Sequence, residues 1–230
     1  MDVAEFDRFA EEYLATHSQH IRLGEAPDYY ARYKIDELGR RWAASKYPEP
    51  ESILDFGAGI GNSWPFLAKR FPRATISGLD VSEKSLAVAE RRFPGLARAI
   101  IYEGGTIPLP DQSFDLIFSA CVFHHIDQNE HIALFSDLKR LLKHGGWIVI
   151  FEHNPLNPLT RHIVESCPFD ENAVLIPAVE LKRRQMAAGL KNIYIRYTGF
   201  FPGQFAFLRP LERYMASIPM GAQYYTMSHG

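Results

Sequence analysis

Three groups of residues in this chain are of types and spacings that do chemistry. In the first, "DFGAGIGN", Asp55 ends an apolar run and Gly57, Gly59 and Gly61 follow at alternate positions around Ala58. Glycine is used where backbone must turn tightly or come close to a ligand. In the second, Asp80 ends the next apolar run, "ATISGLD". A carboxylate placed there can accept hydrogen bonds from ribose hydroxyls. The third comprises two pairs, His124-His125 and Glu152-His153, each directly after a later apolar run. Imidazole is the side chain most often used to move protons near neutral pH.

A glycine loop of this kind suits two classes of cofactor. A dinucleotide site wants G-x-G-x-x-G, its last glycine allowing helix and strand to pack closely and its helix N-terminus meeting pyrophosphate. Here the register is G-x-G-x-G, and Asn62 stands where that last glycine belongs. Asp55 would repel a pyrophosphate and better suits a cationic group such as an ammonium. Asp80 serves either cofactor. Only Asp55 and the register discriminate, and both point away from a nicotinamide dinucleotide. The plainer roles are turn caps: Asp55 for its loop, Asp80 for "SEKS". Two acids together with the glycine register favour a cofactor.

These groups need elements to hold them. Helical spacing over residues 1–47, with Phe6, Phe9, Tyr13 and Leu14 in one stretch and "YYARYKIDELGRRWAASKY" in another, predicts a helical lead-in stopped by Pro48 and Pro50. From residue 52 strands and helices alternate. "SILDF", "ATISGLDV", "RAIIY", "FDLIFSACVF" and "WIVIFEH" read as strands, with helices in "NSWPFLAKRF", "SEKSLAVAERRF" and "NEHIALFSDLKRLLK", the last ending at Gly145 and Gly146. Ser82 is placed to cap the second of these. Apolar strands alternating with helices predict a parallel sheet covered on both faces. After residue 153 come a proline-rich loop with a short helix, the helix "AVELKRRQMAAGL", the strand "KNIYIRYTGFF", the helix "RPLERYMASI" and the strand "GAQYYTMSH".

Composition bounds the rest. The chain has 230 residues, 47% of them hydrophobic, and a formal net charge of -2, so no basic face favours nucleic acid. Cys121 and Cys167 are too few for a disulfide framework. The start "MDVAEFDRFAEEY" is unlike a secretory signal, and no apolar run is long enough to span a bilayer. A cytoplasmic protein is expected, monomeric or homodimeric. His124, His125, Asp127 and His131 supply metal-ligand types, but their spacing matches no standard set and no metal is expected.

Four ordered blocks, "ILDFGAGIGN", "ISGLDVSEKSL", "IPLPDQSFDLIFSACVFHHI" and "LKRLLKHGGWIVIFEH", over about residues 50–153, resemble the class I S-adenosylmethionine-dependent methyltransferase family. The likeness is strongest to its small-molecule branch, which includes the ubiquinone and menaquinone methyltransferases. The resemblance implies a Rossmann-like α/β fold with a seven-stranded sheet in the order 3-2-1-4-5-7-6, the last strand antiparallel. It implies that Asp55, Gly57, Ala58 and Gly59 face the methionine half of S-adenosylmethionine, Asp80 the ribose diol, and Val81 the adenine. Glu103, followed by Gly104, takes the position of an acid near the adenine amino group, and Ala120 and Cys121 lie beside the cofactor. N-terminal helices of the family act as lids, which divides the chain into a lid, 1–47, and a cofactor-binding domain, 48–230.

Methyl transfer from a sulfonium is an in-line displacement, governed by holding acceptor and methyl together in a dry site. A base is needed where the acceptor must lose a proton, and His124, His125 and His153 are the candidates. Arg161 and His162, in the loop after the fifth strand, could grip an anionic or hydroxylated acceptor. The expectation is methyl transfer to a small molecule at oxygen. The rivals are a non-catalytic S-adenosylmethionine-binding subunit and a nicotinamide-dependent oxidoreductase. The late aromatics are expected to cover the last strands rather than wall the acceptor site.

Overall fold

The computed structural model describes residues 28–45, 47–167, 170 and 172–230. The first helical stretch expected, with Phe6, Phe9, Tyr13 and Leu14, lies outside the described residues. Helix α1 (Tyr29–Ala43) leads in, burying Ile35, Leu38 and Trp42 on one stripe. There follow β1 (Ser52–Phe56), α2 (Trp64–Arg70), β2 (Thr75–Asp80), α3 (Glu83–Arg92), β3 (Arg98–Ile101), β4 (Phe114–Ala120), α4 (His131–Leu141) and β5 (Leu142–His153). The remainder is α5 (Pro158–Glu165), α6 (Ala178–Ala187), β6 (Lys191–Thr198), α7 (Glu212–Met215) and β7 (Gln223–His229). Ser82 caps α3 as expected, its hydroxyl accepting the Ser85 N–H.

The seven strands form one sheet in the order β3-β2-β1-β4-β5-β7-β6, with β7 antiparallel to both neighbours. Along β1, Ile53 packs into one apolar cluster and Leu54 and Phe56 into the other, the two-residue alternation of a sheet buried on both faces. Gly78 in mid-β2 is explained by close approach: a Cβ there would lie 2.4 Å from the Trp64 ring. The chain leaves β1 for β2 on one side and returns through β4 on the other. A crevice therefore opens beyond the carboxyl ends of β1 and β4, the switch point where such sheets bind ligands.

Two boundaries differ from expectation. Helix α4 stops at Leu141, and Gly145 and Gly146 lie inside β5, because Leu142 already pairs with Phe114 before a register shift. The segment "RPLERYMASI" is not one helix: it holds the end of a 3-10 helix (Gly203–Leu211), the four-residue α7 and a turn. Among the described residues, no helix is long and apolar enough to cross a membrane.

Candidate functional site

The carboxyl edge of the sheet opens into a cavity of about 1720 Å³. Small-molecule sites are commonly ~300–1,000 Å³, so this one has room for a cofactor and a second molecule together. Every cofactor-site residue expected from the sequence lines it: Asp55, Gly57, Ala58, Gly59, Asp80, Val81, Glu103, Gly104, Ala120 and Cys121. So do His124, His125, His153 and His162.

The loop after β1 is held by its neighbours. Gly57 and Ala58 donate to the Leu79 carbonyl, at 2.8 and 3.1 Å, and the Gly59 N–H donates to Asp80 Oδ2 at 2.7 Å. Asp80 Oδ1 takes the Ser82 N–H at 2.9 Å. Gly57 has φ +76° and its absent Cβ would lie 2.3 Å from a Val122 methyl, so conformation and space both exclude a side chain. Asn62 keeps the loop closed where a third glycine would otherwise pack: Arg92 donates to its side chain and to the Ile60 carbonyl.

Asp55 is buried and its Oδ2 has no hydrogen-bond partner. Burial, reinforced by the charge of Asp80, raises its carboxyl to about 7; the Trp64 indole beside it pulls the other way without reaching hydrogen-bond geometry. An orphaned, buried acid in a cavity wall is a site for a cationic group.

In the same cavity the ends of β4 and β5 are stapled by Glu152. Its Oε1 accepts the N–H groups of Val122 (3.1 Å) and Phe123 (2.8 Å), and its Oε2 lies 2.6 Å from His124 Nδ1. Burial pushes the Glu152 carboxyl up, but His124 outweighs it and holds the carboxyl below its ordinary range. Burial likewise opposes charge on His124, yet Glu152 and Asp170 raise it to about 10. His124 is thus anchored by Glu152 and orders the turn. His125 Nε2 lies 3.4 Å from the same Asp170 carboxylate. His153 faces Cys121: burial raises the thiol, but His153 and Lys34 overcome it and bring it to about 7; burial opposes charge on His153, and Cys121 overcomes it and raises the ring.

Several positions depart from the sequence reading. His162 faces the cavity, but Arg161, one residue away on α5, points outward and pairs with Glu165 at 3.5 Å, so it is not placed to grip an acceptor. Neighbours on a helix point in directions too different to share one target. Asp127 and His131 do not join His124 and His125. Asp127 accepts the Asn129 N–H, and His131 sits between the Ile126 carbonyl and Arg184. Tyr224 and Tyr225 are core as expected, whereas Phe207 and Tyr214 are exposed rather than covering strands. Two cavity residues were not singled out by the sequence, although Lys34 lies in the expected lid and Asp170 in the loop expected at the acceptor pocket. Lys34 was hidden within a helical pattern, and Asp170 within an irregular loop. Tyr30, Ala31 and Lys34 put one face of α1 against the cavity.

Comparison with known proteins agrees with the fold and the blocks. Residues 53–146 match the family model described as "Methyltransferase domain". Trans-aconitate 2-methyltransferase of Methylobacterium nodulans is 29% identical over 193 residues, 81% of this chain and 63% of that protein. Demethylmenaquinone methyltransferase of Thermotoga maritima is 33% identical over 108 residues, 47% of this chain and 46% of that protein. The chain thus matches less than two thirds of the length of either relative. Among solved structures, a SAM-dependent methyltransferase of Thermotoga maritima, described as a possible histamine N-methyltransferase, superposes with a TM-score of 0.69. The match covers 99% of this chain and 98% of that one at 18% identity, a likeness of fold.

Proposed function

From the match of residues 53–146 to a methyltransferase domain, we propose that this chain is a class I methyltransferase that binds S-adenosylmethionine and transfers its methyl group to a small molecule, at oxygen. The observation that carries the reading is the unpartnered Asp55 carboxylate beside Asp80, in one cavity large enough for donor and acceptor. Asp55 meets the ammonium of the methionine half, Asp80 the ribose hydroxyls, and Val81 and Glu103 the adenine end. When bound, the cofactor supplies the electrophilic methyl; the chain aligns the acceptor with it and keeps water out. Tyr30 and Lys34 line the cavity, which supports reading α1 as the wall that closes this space. The repulsion between Asp55 and a pyrophosphate weighs against a nicotinamide cofactor. The test is calorimetric titration with S-adenosylmethionine and separately with NAD, followed by a screen of hydroxyl and carboxylate acceptors. Saturable binding of NAD alone would overturn it.

The Asp55 pKa gives cofactor binding a pH dependence. Folding raises this carboxyl from its ordinary 3.8 to about 7, so the cofactor-free fold holds a proton that the unfolded chain releases, and it loses stability as pH rises between these values. An ammonium requires the carboxylate. Below about pH 7 affinity should therefore fall, approaching tenfold per pH unit, and above it level off. Dissociation constants measured across this range check it, and Asp55→Asn should flatten the slope while binding weakly. An unchanged slope in that variant would remove Asp55 from the ammonium site.

For a hydroxyl acceptor the base is His153. His124 is already committed to Glu152 through Nδ1, whereas His153 opens on the cavity beside Cys121. His153→Gln should lower kcat by about 10²–10⁴ and leave the dissociation constant of S-adenosylmethionine within a factor of two or three. Equal losses in both would make His153 a cofactor contact instead.

A further inference from the structure

One cluster lining the cavity is not used by the proposed methyl transfer. One ligand atom from each of His124, His125 and Asp170 lies within 4.8 Å of the others. Asp170 Oδ1 is 3.4 Å from each imidazole nitrogen. That exceeds the ~2.7–3.2 Å of an N–H···O hydrogen bond, and His124 Nε2, buried, has no hydrogen-bond partner. These two nitrogen–oxygen spacings fit an ion. Ligands held about 2.0–2.1 Å from a tetrahedral metal are roughly 3.3–3.4 Å apart.

The support behind the cluster has the form a metal site requires. Glu152 lies 2.6 Å from His124 Nδ1, on the far side of the ring, and its other oxygen is fixed by two backbone amides. A carboxylate there sets the tautomer that presents Nε2 outward, the carboxylate–histidine–metal arrangement. An anion does not suit the space between the two rings, because Asp170 would repel it. The occupant that competes with a cation is a proton shared by His124 and Asp170.

We infer that His124, His125 and Asp170 form a site for one divalent transition-metal ion, zinc by preference, on the acceptor side of the cavity. Two nitrogens and one oxygen are the donor set of zinc and its first-row neighbours, and three protein ligands leave a position open. Because all three residues line the cavity, the open position faces the acceptor. This inference rests on reading the cavity as a donor and acceptor site. It narrows the acceptor to molecules that offer a carboxylate or hydroxyl oxygen to the ion.

The experiment is titration of chelator-stripped full-length protein with Zn²⁺ by calorimetry and with Co²⁺ by visible absorption, each with and without S-adenosylmethionine. One ion per chain is expected, with tetrahedral Co²⁺ bands. His125→Ala and Asp170→Asn should each weaken it at least about tenfold, with circular dichroism and melting unchanged. Asp170→Asn covers the case in which loss of an imidazole disturbs folding. No uptake, or uptake indifferent to both substitutions, overturns the site and leaves the trio an ion-pair network. The two readings fail separately: cofactor binding without metal uptake sinks only this one, whereas failure to bind S-adenosylmethionine sinks the proposed function.

Discussion

Asp80→Ala is expected to weaken S-adenosylmethionine binding by roughly 100-fold or more. Hydrogen bonds to a charged group are worth about 1.5–3 kcal/mol each, and a ribose diol offers two. The side chain does more than meet ligand, because its two oxygens already hold the N–H groups of Gly59 and Ser82. A carboxylate has lone pairs for both tasks. Truncation therefore releases the glycine loop as well as the ribose contact. Asp80→Asn, which keeps the shape and one acceptor, should fall between the two. Calorimetry with the methyl donor measures this directly, and near-native affinity in Asp80→Ala would end the assignment of Asp80 to the ribose.

Glu152→Ala should be the most damaging single substitution to the fold. Glu152 is fully buried and serves two backbone amides and the His124 ring with one carboxylate. Removing one partner of a buried charged pair costs about 3–5 kcal/mol, because the remaining charge and donors are left without water or protein to satisfy them. At ~2–4 °C per kcal/mol for a domain of this size, the melting temperature should drop by roughly 10 °C. Glu152→Gln keeps an acceptor for the amides but loses the charge opposite His124, so its loss should be smaller. A thermal melt decides. If Glu152→Ala melts within about 2 °C of the unmodified chain, the staple contributes little.

What was legible in the sequence was whatever repeats locally. The alternation of apolar strands with helices, the glycine register after Asp55 and the acid ending β2 lie within single elements, and the structure brings them together at one edge. The expected caps, Ser82 above all, follow from short-range hydrogen bonding. What was not legible depends on contacts between distant segments. Asp170 meets His124 and His125 across some 45 residues of chain, from a loop without periodicity. Asp127, two residues from His125, was the nearer guess, and its own Asx turn claims it. Lys34 reads as one more polar position on a helix until the packing of α1 turns it into the cavity. The start of β5 was missed for a related reason: its first pairing, Leu142 with Phe114, precedes the two glycines that resemble a helix end.

The strand order has a consequence for how the chain is made. β7 inserts between β5 and β6, although it follows both in sequence. As synthesis proceeds, the edge of β5 through "WIVIF" has β4 on one side and nothing on the other until the final strand emerges. An apolar, unpaired edge of that kind is a template for joining other chains. The nascent protein thus spends its interval of greatest aggregation hazard with most of its domain already translated, and slow production or chaperone capture at that stage should raise the yield of native protein.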